Sequence, residues 1–390
     1  MHGKQERSII LTGATGFLGA YLMAGLLERR YRVTVLGRPQ MDRRLSDRLS
    51  ELIRWFGIDP EDRLSSREVD LAKRHLGLDD GEYARLCSQA GKIIHCASDT
   101  SFAERNRERV VETNINGMSN LLDFAIDSEV AHLYYVSTAY ACGLCEGMCM
   151  EAPISNDRFT NVYEESKAHA EGILRSRCHA DGVPYAILRP SIVYGHAQTG
   201  SALKFNALYY AVKSLSFVRD IFEKDIGRGE GWSAKWGVRL DEDGILHLPL
   251  ELHLPGEGFV NLISVDHFVE AALEIVECAE SDGIYHITCD NPPRITTLME
   301  YAERFLGIRG IRARWDPSGG NPNPNPAEEL FERFIKQYRP YLSDGRVFDR
   351  SRVKRIVGEC STPPLSYDIF ERCMGYAVAC DWGKAIGFPK

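Results

Sequence analysis

The chain has 390 residues, of which 44% are hydrophobic and 26% charged, with 34 glycines; this balance suits folded domains and excludes collagenous, fibrous and wholly disordered architectures. A formal net charge of -8 argues against a nucleic-acid binder, which needs a basic stripe to displace counterions from phosphates. No apolar run approaches the roughly 18 residues of a membrane span, the start MHGKQERSIILTG lacks the pattern of a secretory signal, and eleven cysteines without a disulfide framework point to a reducing cytoplasm.

In chain order, β-branched runs predict strands at SIILT from Ser8, RVTVL from Arg32, REVD from Arg67, KIIH from Lys92, HLYYVS from His132 and YAILR from Tyr185, with amphipathic stretches between them. This alternation predicts an α/β fold with a parallel sheet covered by helices on both faces. The segment 197–260 reads as an insertion. Its aromatic run LKFNALYYAVKSLSF reads as core, and GILHLPLELHLP alternates like a strand pair. A helix from Ser264 and a strand from Gly283 then rejoin the sheet, and the loop SGGNPNPNP from Ser318 leads into a C-terminal helical segment. The expected domains are therefore 1–196 with 261–290, a dinucleotide-binding doubly wound sheet, and 197–260 with 291–390, a smaller discontinuous substrate-binding region.

Between the first strand and the first helix lie Gly13, Ala14, Thr15, Gly16, Phe17, Leu18 and Gly19. Glycines at this spacing allow a tight turn and let backbone approach a pyrophosphate at the positive end of a helix, the signature of a Rossmann dinucleotide site. The second strand ends at Arg38, where an acidic residue would favour NAD. With Arg43 or Arg44, Arg38 can pair with a 2'-phosphate, so NADPH is expected over NADH.

Tyr163 and Lys167 stand four residues apart, on one face of a predicted helix. A phenol is a poor acid or base at neutral pH, and Lys167 is placed to lower its pKa. Upstream, Val136-Ser137-Thr138-Ala139-Tyr140 presents hydroxyls at a strand's carboxyl end, where open parallel sheets bind ligands, and Thr138 becomes a candidate donor to a carbonyl oxygen. Cys142, Cys145 and Cys149 have the spacing of a thiolate cluster but no fourth ligand, so they are expected to be loop thiols and no metal is expected. Cys96 and Cys142 also lie near predicted strand ends, yet neither has a sequence-adjacent base that would make it an acyl acceptor.

Through roughly its first 290 residues the sequence resembles the extended short-chain dehydrogenase/reductase family. The segments GATGFLGAYL, HCASDTSF, TNINGMSNLL, VSTAYACG, YEESKAHAE and LRPSIVYG are most similar to its thioester reductase and fatty acyl reductase branch. The resemblance implies that Thr138, Tyr163 and Lys167 are catalytic and that Asn114 supports a proton-relay water. It also implies cofactor contacts from Asp70 and Leu71, from Cys96, Ala97 and Ser98, from Ser137, Tyr163 and Lys167, and from Pro190, Ser191 and Ile192. Members of this branch use NADPH to reduce an acyl thioester, on CoA or an acyl carrier protein, to aldehyde and sometimes to alcohol. The rival expectations are a ketone reductase, a nucleotide-sugar epimerase or dehydratase, and a non-catalytic dinucleotide-binding regulator. No lipidation or anchor signal accompanies the aromatic insertion.

Overall fold

Strands whose residues are apolar on both faces need cover on both faces, and a parallel sheet between helix layers supplies it. The computed structural model describes residues 7–145, 147–278, 282–318, 320–358 and 363–384. Two compact units result, the first comprising Met1–Ser191, Val265–Thr288 and Arg346–Ser361, the second Ile192–Ser264, Cys289–Gly345 and Thr362–Lys390.

The first unit is built on seven parallel strands: β1 (Ser8–Thr12), β2 (Arg32–Gly37), β3 (Leu64–Glu68), β4 (Lys92–His95), β5 (His132–Val136), β6 (Tyr185–Pro190) and β7 (Gly283–Ile287). Their order is β7-β6-β5-β4-β1-β2-β3, so the chain reverses direction across the sheet between β1 and β4, the arrangement that opens a crevice at the strands' carboxyl ends. Strands β5, β6 and β7 are buried throughout. The third strand lies three residues upstream of the expected Arg67 start, pairing Leu64 with Val33 through Glu68 with Gly37. An edge strand carries no burial requirement that would mark it in sequence. Val69, the buried apolar residue that drew the expectation, follows the strand.

Helix Phe17–Glu28 is buried over Gly19–Leu27 and packs on helix Val265–Cys278. Arg29 at its end meets Glu270, Glu274 and Glu277 of that helix at 2.8, 2.9 and 3.0 Å. In sequence nothing marked Arg346–Ser361 as part of this unit; the expected substrate region 291–390 included it. Strand Val347–Phe348 pairs with Met148–Cys149, and the Glu151 carboxylate accepts from His286 N (2.8 Å), Val353 N (3.3 Å) and Arg352 N. One buried carboxylate thus fastens the returning segment to the sheet.

In the second unit, helix Leu208–Arg228 buries Tyr209, Val212, Leu215 and Phe222, so most of the aromatic run is core, with Phe217 exposed at its end. The expected strand pair at 244–255 is instead a single strand, Leu246–Leu254, buried at alternate residues. Its partners are Ile308–Trp315, parallel, and Arg239–Leu240, antiparallel. Pro249 is tolerated because the ladder shifts register between His247 and Leu250. After the asparagine-rich loop, Asn325 and Glu328 form a capping box that starts helix Pro326–Ile335. An apolar cavity of about 90 Å³ lies within this unit, with Val212, Leu252, Leu262, Leu298 and Phe331 in its walls.

Candidate active site

The site grows from the first crossover of the sheet. Gly13 has φ +78°, and a Cβ there would stand 2.6 Å from Ala97 N, while a Cβ on Gly19 would overlap the Gly13 carbonyl. Glycine is therefore required for packing the turn on β4 and the helix on the turn. The turn leads into helix Phe17–Glu28, whose first turn carries no acidic residue and whose N-cap Gly16 supplies no side chain, so no side chain of its own competes for the helix's first backbone N–H groups. Thr12 Oγ1 accepts from Ala97 N at 3.2 Å and pairs with His95 Nδ1 at 2.7 Å. Burial pushes His95 down to about 3, with Lys167 adding to the shift, so the imidazole is neutral.

At the end of β2, Arg38 is exposed, Arg43 pairs with Glu51, and Arg44 only caps helix Leu45–Phe56. Sequence reasoning missed Arg48. It is 6% exposed, donates to the Arg38 carbonyl at 2.6 Å, and keeps a buried Nε without a partner among the described residues. Its only sequence signal is its place in the first turn of the helix after Arg38. Beyond β3, Asp70 Oδ1 accepts from Ala72 N at 3.1 Å and the Leu71 carbonyl from Asn120 at 2.8 Å.

Helix Val162–Asp181 starts sharply because Asn161 Oδ1 accepts from Glu164 N at 3.1 Å. The helix carries half-buried Tyr163 stacked on Phe102, centroids 5.9 Å apart, and Lys167 one turn later. Lys167 is 2% exposed, its Nζ donates to the Val136 carbonyl at 2.7 Å, and it lies 4.4 Å from the Tyr135 ring centroid. Burial pushes Lys167 down to about 8, with Cys96 and Glu171 opposing. The Tyr163 phenol is raised above its ordinary value by burial, then by Cys96 and Glu164. The expectation that Lys167 lowers the Tyr163 pKa is thus corrected: the ammonium is turned to a carbonyl and a ring, and desolvation governs the phenol.

Asn114 sits in a π-helical turn, Glu112–Asn116, a geometry that re-aims side chains within helices. Its Oδ1 accepts from Asp99 N (2.8 Å) and Ser98 Oγ (3.1 Å), and its Nδ2 donates to Asp99 O and Ser166 Oγ, both 2.9 Å. Ser166 Oγ passes the chain on to the Tyr163 carbonyl at 2.8 Å. Both amide groups are saturated. Ser166 and Asp99, which sequence reasoning missed, therefore join Asn114 in a clamp on the tyrosine's backbone.

Thr138 caps the 3-10 turn Ala139–Cys142, accepting from Tyr140 N at 3.3 Å and donating to the Pro190 carbonyl at 3.5 Å. Ser137, Ser191 and Thr288 follow β5, β6 and β7, and each keeps a buried hydroxyl without a partner among the described residues. Ile192 belongs to the second unit, where it lines the cavity. No cluster of His, Cys, Asp or Glu suited to a metal ion occurs among the described residues, and none of the described helices is long and apolar enough to cross a membrane.

A seven-stranded parallel sheet whose first strand runs through a glycine turn into a helix is the architecture of a dinucleotide-binding domain, and the family match makes the chain an NAD(P)-dependent oxidoreductase. The chain belongs to the extended short-chain dehydrogenase/reductase family, with residues 11–231 matching the NAD-binding family described as Male sterility protein. Among curated proteins it is 28% identical over 280 residues to trichosetin synthetase PKS-NRPS1 of Gibberella fujikuroi, covering 70% of this chain and 7% of that protein. It is 27% identical over 210 residues to the nonribosomal peptide synthetase asaC of Aspergillus flavus, covering 50% of this chain and 20% of that protein. The chain thus spans a small fraction of these relatives. Among solved structures, the terminal R domain of the myxalamid PKS-NRPS pathway superposes with a TM-score of 0.75 at 22% identity, over 97% of this chain and 92% of that one. UDP-glucuronic acid 4-epimerase of Bacillus cereus, in complex with NAD, gives 0.63 at 16% identity, over 97% and 99%.

Proposed function

We propose that this chain is an NADPH-dependent reductase of acyl thioesters carried on CoA or a carrier protein, yielding an aldehyde and, with a second reduction, an alcohol. The observation that carries the reading is the presence of Thr138 just past the end of β5 and of Tyr163 and Lys167 one turn apart on helix Val162–Asp181, in a chain whose curated relatives include PKS-NRPS and nonribosomal peptide synthetases. The glycine turn at the N-terminus of helix Phe17–Glu28, with no acidic residue in the helix's first turn, and the unpartnered hydroxyls of Ser137 and Ser191 fit a dinucleotide. Arg38 and the orphaned N–H of Arg48 suit a 2'-phosphate, which favours NADPH. Asp70, Leu71, Cys96, Ala97, Ser98 and Pro190 would complete the cofactor's surroundings, and the second unit is the proposed substrate-binding region.

When bound, the cofactor supplies hydride. Tyr163 and Thr138 hold the substrate's carbonyl oxygen with their hydroxyls, where negative charge develops. The raised phenol stays protonated at neutral pH, so Tyr163 acts as an acid and delivers its proton to that oxygen. Collapse of the resulting hemithioacetal expels a thiol. Lys167, whose Nζ already donates to the Val136 carbonyl, would hold the cofactor's ribose with its remaining N–H groups, while Asn114 and Ser166 keep Tyr163 in register. The Asn114 side-chain amide is committed to this clamp, and from there Asn114 would support a proton relay to Tyr163.

The test follows NADPH and NADH absorbance with a panel of acyl-CoA thioesters, aldehydes, ketones and nucleotide sugars. Thioester-dependent NADPH oxidation that vanishes in Tyr163→Phe is the expected result. Turnover of a ketone or nucleotide sugar with inert thioesters and aldehydes overturns the substrate class.

A further inference from the structure

The apolar cavity of about 90 Å³ lies wholly within the second unit. Its inner wall is buried, with Val212 from helix Leu208–Arg228, Leu252 from strand Leu246–Leu254, Leu262 from strand Leu262–Ser264, Leu298 from helix Ile295–Leu306 and Phe331 from helix Pro326–Ile335. Among the described residues no charged side chain lines it, and its polar groups are the phenols of Tyr338 and Tyr341. Small side chains keep the space open: Ala207 and Ala211 at the start of helix Leu208–Arg228, and Ala302 on helix Ile295–Leu306. Ala302 is buried, whereas Ala207, Leu208 and Ala211 are half-buried, so solvent reaches the wall at the start of the helix and not at the far end. Ala207 also stands at φ +47°, a backbone conformation that favours glycine and that gathers at ligand clamps.

We propose that this cavity binds the alkyl end of the substrate's acyl chain, a straight saturated tail of about three or four carbons; the proposal rests on the reading of the chain as an acyl-thioester reductase. An apolar cavity of about 150 Å³ accepts the six carbons of a benzene ring, roughly 25 Å³ for each, so 90 Å³ suits about three or four carbons in a chain and is too small for a ring. Walls of this kind give a water few of the roughly two to four polar partners it needs, whereas each methylene that leaves water for them is worth about a fourfold gain in affinity. A charged chain end would be desolvated there without a counter-charge. An unfilled cavity costs stability in proportion to its volume, and an alkyl guest restores the contacts its walls lack. The three alanines thus set both the depth of the site and its preference for a slender, unbranched tail.

The test uses the full chain with labelled leucine and valine methyls, followed by NMR without NADPH. It is titrated with n-butane, then with saturated acyl-CoA thioesters of increasing length, and with 4-phenylbutyryl-CoA. The expected result is that n-butane shifts the methyl signals of Val212, Leu252, Leu262 and Leu298, that octanoyl-CoA shifts the same signals, and that acetyl-CoA does not. Through the series the affinity should rise about fourfold per methylene for about three or four methylenes and then level. Ala302→Leu fills the cavity and should abolish the n-butane response; the wild-type series decides even where this variant fails to fold. Methyls unmoved by n-butane, methyls moved by n-butane but not by octanoyl-CoA, or 4-phenylbutyryl-CoA shifting them as octanoyl-CoA does overturns the proposal. Octanoyl binding here in a chain that leaves thioesters unreduced in the NADPH assay would overturn the reductase reading and leave the alkyl site standing.

Discussion

Tyr163 keeps its proton because it is desolvated, and a phenol that is protonated at neutral pH is suited to finishing a reduction rather than starting an oxidation. Tyr163→Phe is expected to lower kcat by about 10²–10⁴-fold, the usual contribution of a positioned acid, with KM for NADPH little changed; steady-state kinetics with a saturating aldehyde reads it. Equal losses in binding and turnover would make the residue structural. Arg48 is a separate matter. Its Nε has no partner among the described residues, and a lost charge-assisted hydrogen bond is worth about 1.5–3 kcal/mol, so Arg48→Ala should raise the KM for NADPH by about tenfold or more and leave that for NADH alone. The placement of Tyr163 and Lys167 on one helix and of Thr138 just past a strand was legible because helical spacing and a strand end suffice for it. Arg48 and Ser166 were not, since nothing in sequence says which polar side chain turns inward.

Among the elements, β6 and β7 are joined to the helix above them by charge. Arg189 and Glu171 are 1% and 2% exposed and meet at 3.0 and 2.6 Å, while Arg189 Nη1 lies 3.2 Å from His286 Nε2 and His286 Nδ1 lies 2.9 Å from the Asp349 carbonyl. An arginine only donates and a carbonyl only accepts, so this histidine is the neutral Nδ1–H tautomer. Arg189→Met strands a buried carboxylate and should cost about 3–5 kcal/mol; Arg189→Met with Glu171→Met should recover most of it, as urea midpoints will show. A double variant as unstable as the single would mean that the His286 contact carries the stability. The sheet itself was readable because β5, β6 and β7 are short runs rich in apolar and β-branched or aromatic residues, buried throughout. The edge strand and the Leu246–Leu254 strand were not, because pairing partners depend on residues far away in sequence. The strand-pair expectation took one strand's alternation for two.

For the whole molecule, burial of neutral histidines makes stability depend on acidity. Burial pushes His95 down to about 3 and His132 and His286 to about 4, below the ordinary value near 6.5. Between that value and about pH 4 the unfolded chain binds more protons than the folded one, so stability falls as pH falls, by up to about 1.4 kcal/mol per pH unit for each histidine. Lys167, pushed down to about 8, acts in the same direction at higher pH: the folded form gives up its proton first, so stability rises from about pH 8 toward the unfolded value near 10.4. Thermal melts from pH 7 to pH 5 should shift downward, and replacing His95 with glutamine should flatten the slope. A melting temperature constant over that range would rule the histidines out as titrating groups.

The carboxylate of Glu151 waits for backbone groups some two hundred residues further on, at Arg352 and Val353. During synthesis the sheet therefore leaves the ribosome with a buried acid matched only by His286 N, and its last fastenings arrive with residues 352 and 353. A polypeptide cut after residue 290, where sequence alone would end the dinucleotide-binding unit, should emerge aggregation-prone and gain solubility when a peptide spanning 346–358 is supplied in trans.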